Sequence, residues 1–111
     1  MKKLLVTFVI LFAAISSSFA YNGGDGVPTV YGPGSASKVV SINATTQIEL
    51  ICFLVGPTSA TADCVFLGTN VNWVQHLSGS QTLYNYLTGT FTTVNISYQC
   101  SAGYGAGLIL W

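Results

Sequence analysis

From residue 38 onward the chain is cut into strand-length runs in which apolar and polar side chains alternate. In residues 47–55 the even positions are Ile48, Leu50, Cys52 and Leu54, while the odd side starts with Gln47 and Glu49. In residues 91–100 the even side is Thr92, Val94, Ile96, Tyr98 and Cys100, and the odd side is Phe91, Thr93, Asn95, Ser97 and Gln99. A period of two puts alternate side chains on opposite faces of a strand, so each run has one face for a core and one for solvent. Runs of this kind are expected at residues 38–43, 47–55, 62–67, 70–76, 82–87, 91–100 and 106–111. They are separated by Gly56-Pro57, Gly68, Ser78-Gly79-Ser80, Gly89 and Gly103. Short strands with turn residues about every ten positions predict an all-β chain, a small antiparallel two-sheet β-sandwich of about seven strands.

The two ends of the N-terminal region read differently. Lys2 and Lys3 precede an apolar run at residues 4–15, followed by Ser16 to Ser18, Phe19 and Ala20. Twelve residues rise only about 18 Å as a helix, short of a bilayer core of about 30 Å. Small residues at Ser18 and Ala20 suit signal peptidase. Residues 1–20 are therefore expected to be a signal helix cleaved after Ala20, which makes the protein secreted, extracellular or periplasmic. Residues 21–37, with glycines at 23, 24, 26, 32 and 34 and prolines at 28 and 33, are expected to form an irregular arm. Residues 38–111 would hold the sandwich.

Composition narrows the partners. Charged residues make up 5% of the chain, against roughly 25% in an ordinary soluble domain. Beyond residue 20, Lys38 is the only Lys or Arg, set against Asp25, Glu49 and Asp63. A nucleic-acid surface needs several cations to meet phosphates, so that partner is excluded. Disorder is excluded as well, because it goes with low hydrophobicity and high charge, whereas half of this chain is hydrophobic. No later apolar run is long enough to span a membrane as a helix, and seven strands are too few for a closed single-chain membrane barrel.

An exported chain can form disulfides, and three cysteines, Cys52, Cys64 and Cys100, leave one thiol over. Strand parity places Cys52 and Cys100 on apolar faces that can meet across a sandwich. Nearness in sequence favours Cys52 with Cys64 instead. The loop-closure terms of the two, roughly 4 and 3 kcal/mol, are too close to decide. The order Cys52, Trp73, then Tyr98-Gln99-Cys100 resembles the Cys–Trp–Tyr-x-Cys signature of immunoglobulin-like domains. That resemblance implies a Cys52–Cys100 bridge between sheets, with Trp73 packed on it and residues 103–110 forming the strand next to that of Cys100. It rests on four residues. The spacing from Cys52 to Trp73 is longer than usual for the family.

Catalytic patterns are absent. His76 is the only histidine, and Asp25 or Asp63 is its available carboxylate partner, but no Gly-x-Ser-x-Gly elbow singles out a nucleophile. Ser35-Ala36-Ser37-Lys38 has the spacing of a serine acyl-enzyme motif without the helix that brings Lys onto Ser. The cysteines and His76 lack metal-ligand spacing, and no cofactor loop is present. Asn43-Ala44-Thr45 and Asn95-Ile96-Ser97 are sequons, with both asparagines on outward parity, so Asn43 and Asn95 are possible glycosylation sites. Tyr84, Tyr86 and Tyr104, among Ser, Thr and Asn, have the composition of a binding surface or a sugar platform. The sequence therefore points to a small secreted non-catalytic module that binds an unknown protein or glycan. The alternative is a self-assembling surface or fibre subunit, favoured by near-zero charge and the apolar run around Ile48.

Overall fold

The computed structural model describes residues 21, 23–44 and 46–111; the expected signal helix lies outside them. The described residues form nine strands: β1 Gly24–Gly26, β2 Val30–Tyr31, β3 Gly34–Ala44, β4 Gln47–Val55, β5 Thr61–Gly68, β6 Val71–Ser78, β7 Gln81–Thr88, β8 Phe91–Cys100 and β9 Tyr104–Leu110. They make two antiparallel sheets. Sheet A has the order β1-β9-β4-β7, with β2 also on β9, and sheet B has the order β3-β8-β5-β6. The all-β two-sheet expectation is met.

The connections explain the turn chemistry. Thr69 and Asn70 link β5 to β6 within sheet B, and Asn70 takes the left-handed conformation, φ 63°, that asparagine tolerates better than most side chains. The chain crosses between sheets at Gly79 and again at Gly89, both at positive φ.

Between the layers lie Ile48, Leu50, Cys52 and Leu54 of β4, facing Phe66 of β5 and Val94, Ile96 and Tyr98 of β8, all buried. The layers approach closely where β9 carries glycine. A methyl group on Gly107 would stand 2.8 Å from Ile96 Cγ2 and 2.9 Å from Cys64 Sγ, and one on Gly105 would strike the Tyr98 hydroxyl. That hydroxyl donates a 2.8 Å hydrogen bond to the Phe53 carbonyl and ties sheet B to sheet A. Burial holds the Tyr98 phenol well above its ordinary pKa. At the open side of the sandwich, Lys38 Nζ donates to Asp25 Oδ1 at 2.9 Å, joining β3 to β1.

Several expectations need correction. The region expected to be an irregular arm contributes β1, β2 and the start of β3. Its glycines make this possible: β1 lies against the Leu108 and Leu110 side chains, and a methyl on Gly26 or Gly24 would stand 2.6 or 2.7 Å from them. The expected Cys52–Cys100 bridge is not formed, since all three cysteines are free and buried. In register, Cys64 pairs with Tyr98, so Cys100 sits two residues, about 7 Å, further along β8. Cys64 faces Cys52 instead, and contact with that thiol, then burial, push the Cys64 pKa up. Burial also raises the Cys100 thiol, which lies 3.7 Å from the Val30 carbonyl oxygen. The strand order also differs from the resemblance. The last strand, β9, pairs with β4, the strand of Cys52, while β8, the strand of Cys100, lies in the other sheet. Trp73 packs on Phe66, ring centroids 5.5 Å apart, rather than on a disulfide. Finally, β4 is buried on both faces, so Glu49, expected on the solvent side, has no exposed surface.

Candidate functional site

The outward face of sheet B collects polar side chains from all four of its strands. Cross-strand partners in a sheet point to the same side. Ser35 of β3 pairs with Gln99 of β8, Gln99 with Asp63 of β5, and Asp63 with His76 of β6. One rung therefore runs Ser35–Gln99–Asp63–His76 across the full width of the sheet. The next rung runs Ser37–Ser97–Val65–Val74. An open groove of about 530 Å³ lies over these rungs, lined by Ser35, Ser37, Ser97, Asp63, Gln99 and Val65, with Ala36 and Tyr98 in its floor. An adjoining hollow of about 350 Å³ shares Ser35, Asp63 and Gln99 and extends to Thr61 and Ser101. Ser101 Oγ fixes that end by accepting from the Thr61 amide at 2.9 Å.

Asp63 is the centre of the rung. Its Oδ1 lies 2.7 Å from His76 Nδ1, and its Oδ2 accepts from Gln99 Nε2 at 3.2 Å. The hydrogen bond from His76, then that from Gln99, hold the carboxyl below its ordinary pKa of 3.8 against a smaller effect of burial. The carboxylate is thus charged and oriented while its side chain remains about half exposed, at 49%. Each oxygen keeps lone-pair capacity for a further donor.

The pairing of His76 with Asp63 was one of the two options left by the sequence. Among the described residues no serine hydroxyl is hydrogen-bonded to the other ring nitrogen. Asp25 is engaged elsewhere. Burial raises its pKa, but Lys38 and the Gly26 amide, 2.8 Å from Oδ1, outweigh this and lower it. No group of three or more His, Cys, Asp or Glu that could hold a metal ion occurs among the described residues.

The tyrosines expected at a binding surface lie on the opposite side of the molecule. Tyr84 and Tyr86 of β7 point outward from sheet A and are exposed. Tyr104 of β9 is half-buried against Tyr31, ring centroids 6.1 Å apart. The structure therefore separates them from the Asp63 rung. Asn43 and Asn95 are both exposed, on the two neighbouring strands β3 and β8.

The Asp63–Gln99–His76 cluster is only partly legible in the sequence. Asp63 and Gln99 hold outward parity in their strands, but which strands are neighbours cannot be read from alternation.

No protein-family model matches the chain, and neither does any curated protein. Among solved structures it is similar to the carbohydrate-binding module CBM36 in complex with calcium and xylotriose, at 11% identity and a TM-score of 0.36, over 86% of this chain and 93% of that one.

Proposed function

We propose that the protein is an exported, non-catalytic binding module that holds a neutral polyhydroxylated ligand, a glycan, on the outer face of sheet B. The rung Ser35–Gln99–Asp63–His76 carries this reading. A sugar presents adjacent hydroxyls, each both donor and acceptor. An oriented carboxylate accepts from two of them, an amide serves one of each kind, and serine hydroxyls adapt to either role. Charge-assisted bonds of this type are the strong ones. The open groove suits a chain lying across the strands. The near absence of cations speaks for a neutral ligand over a polyanion. Self-association is the second reading, supported by the apolar outer face of sheet A.

The test is a printed array of neutral glycans, followed by calorimetric titration of the best-retained one. Asp63→Ala is expected to weaken binding about tenfold or more, the loss of a charge-assisted hydrogen bond, and Gln99→Ala about threefold to tenfold, the loss of a neutral one. Tyr84→Ala is expected to leave it unchanged. Equal affinity in wild type and Asp63→Ala, or retention of no neutral glycan, contradicts the proposal.

A further inference from the structure

The outer face of sheet A is built unlike the surface of an ordinary sandwich. Strand register puts Phe53 beside Ala106, Ile51 beside Leu108, and Glu49 beside Leu110 on this side. These residues of β4 and β9 are buried, yet the nine described strands make two layers only, and none of them lies over this face. Around the apolar centre stand tyrosines. Tyr84 and Tyr86 occupy one corner, on β7, and Tyr31 and Tyr104 occupy the corner diagonally opposite. Among the described residues of this face, Glu49 is the only carboxyl or amine. Its carboxyl oxygens are buried and make no hydrogen bond of good geometry among the described residues; the approach of the Tyr86 hydroxyl to this carboxyl, then burial, raises that phenol's pKa.

We infer that, in the chain beginning at Tyr21, a second copy packs on this face, sheet A against sheet A; the inference rests on the export reading for that starting point. Size supports the pairing. Four strands at about 4.8 Å, with β4 nine residues long, give a face of about 20 by 30 Å. That is about 600 Å² before side-chain relief, against the roughly 800 Å² of accessible surface per partner in a standard interface. An apolar centre bordered by tyrosine matches interface anatomy. Charge supports it too: with one acid and no cation, the face offers nothing to recruit an anionic or cationic partner, and little to repel its own copy. Symmetry supports it as well. A two-fold axis lying in the face along the other diagonal sets each tyrosine corner on its opposite number in the second copy and apolar centre on apolar centre, the self-complementary arrangement of an isologous dimer. Tyrosine hydroxyls from the second copy are neutral donors for the Glu49 carboxylate.

The experiment is sedimentation velocity on the protein exported from cells expressing the full sequence, with its start read by intact mass. Tyr84→Lys and Tyr86→Lys serve as variants because both side chains are already exposed, and circular dichroism confirms that the variants fold. The expected result is a chain starting at Tyr21 that sediments as a dimer at micromolar concentration. Its dissociation constant should rise at least tenfold in either lysine variant, while binding at the Asp63 groove stays unchanged. A monomer starting at Tyr21, or a dimer indifferent to both substitutions, overturns the inference and leaves the glycan reading standing. A mass that retains residues 1–20 overturns the export reading, and the inference with it.

Discussion

Asp63 shows how one residue sets a local property of the molecule. Its pKa is depressed because His76 and Gln99 favour the charged form. The folded state therefore binds the proton less tightly than the unfolded state does. The resulting stability is fully present above the ordinary carboxylate value and is lost as pH falls through the folded one. Because the pair is exposed, the gain is small, below about 1 kcal/mol. Urea denaturation should find Asp63→Asn less stable than wild type at pH above about 5 and equal to it in strong acid. A difference that persists undiminished in acid contradicts this account. At this scale much was legible in the sequence. Outward parity for Asp63 and Gln99, and inward parity for Cys52, Cys64 and Cys100, follow from alternation alone. Cys64 and Cys100 stay open as the neighbour of Cys52 in the sequence, because Cys52 meets Cys64 through the stacking of two sheets, and the two-residue offset of Cys100 along β8 depends on register.

At the scale of the element, β4 and β9 depart from the alternation that defines the others. Residues 107–110 read Gly-Leu-Ile-Leu, a continuous apolar run, and every residue from Ile48 to Leu54 is buried. A strand buried on both faces is expected to read this way. Glu49 obscured the pattern in β4, because a carboxylate ordinarily marks the wet side. The short strands β1 and β2 were hidden for a different reason. Glycine and proline normally interrupt strands, but here glycine lets β1 lie against Leu108 and Leu110. Glycine in β9 has the converse role of letting the sheets close. Gly107→Ala should therefore cost about 1–3 kcal/mol in chemical denaturation, the usual penalty for overfilling a packed core. Unchanged stability would mean that the layers are not as close there as Ile96 and Cys64 imply.

At the scale of the whole molecule, the two outer faces divide in character. Sheet B presents the polar rung and groove, and sheet A carries a buried apolar centre with tyrosine corners. On the two proposals above, the sandwich would hold a ligand on one side while associating through the other. The fold class was legible because five of the nine strands, β3 and β5 to β8, carry the period-two signal. The division of faces was not, since it depends on how the chain alternates between sheets, and the Cys–Trp–Tyr-x-Cys pattern suggested a different strand order. The claim that sheet B is the binding face is tested most directly by amide chemical-shift mapping in a titration with the best-retained neutral glycan. The account predicts shifts confined to β3, β5, β6 and β8, largest at Ser35, Asp63 and Gln99 and absent at Tyr84 and Tyr86. Shifts centred on β4, β7 and β9 with sheet B silent would contradict it.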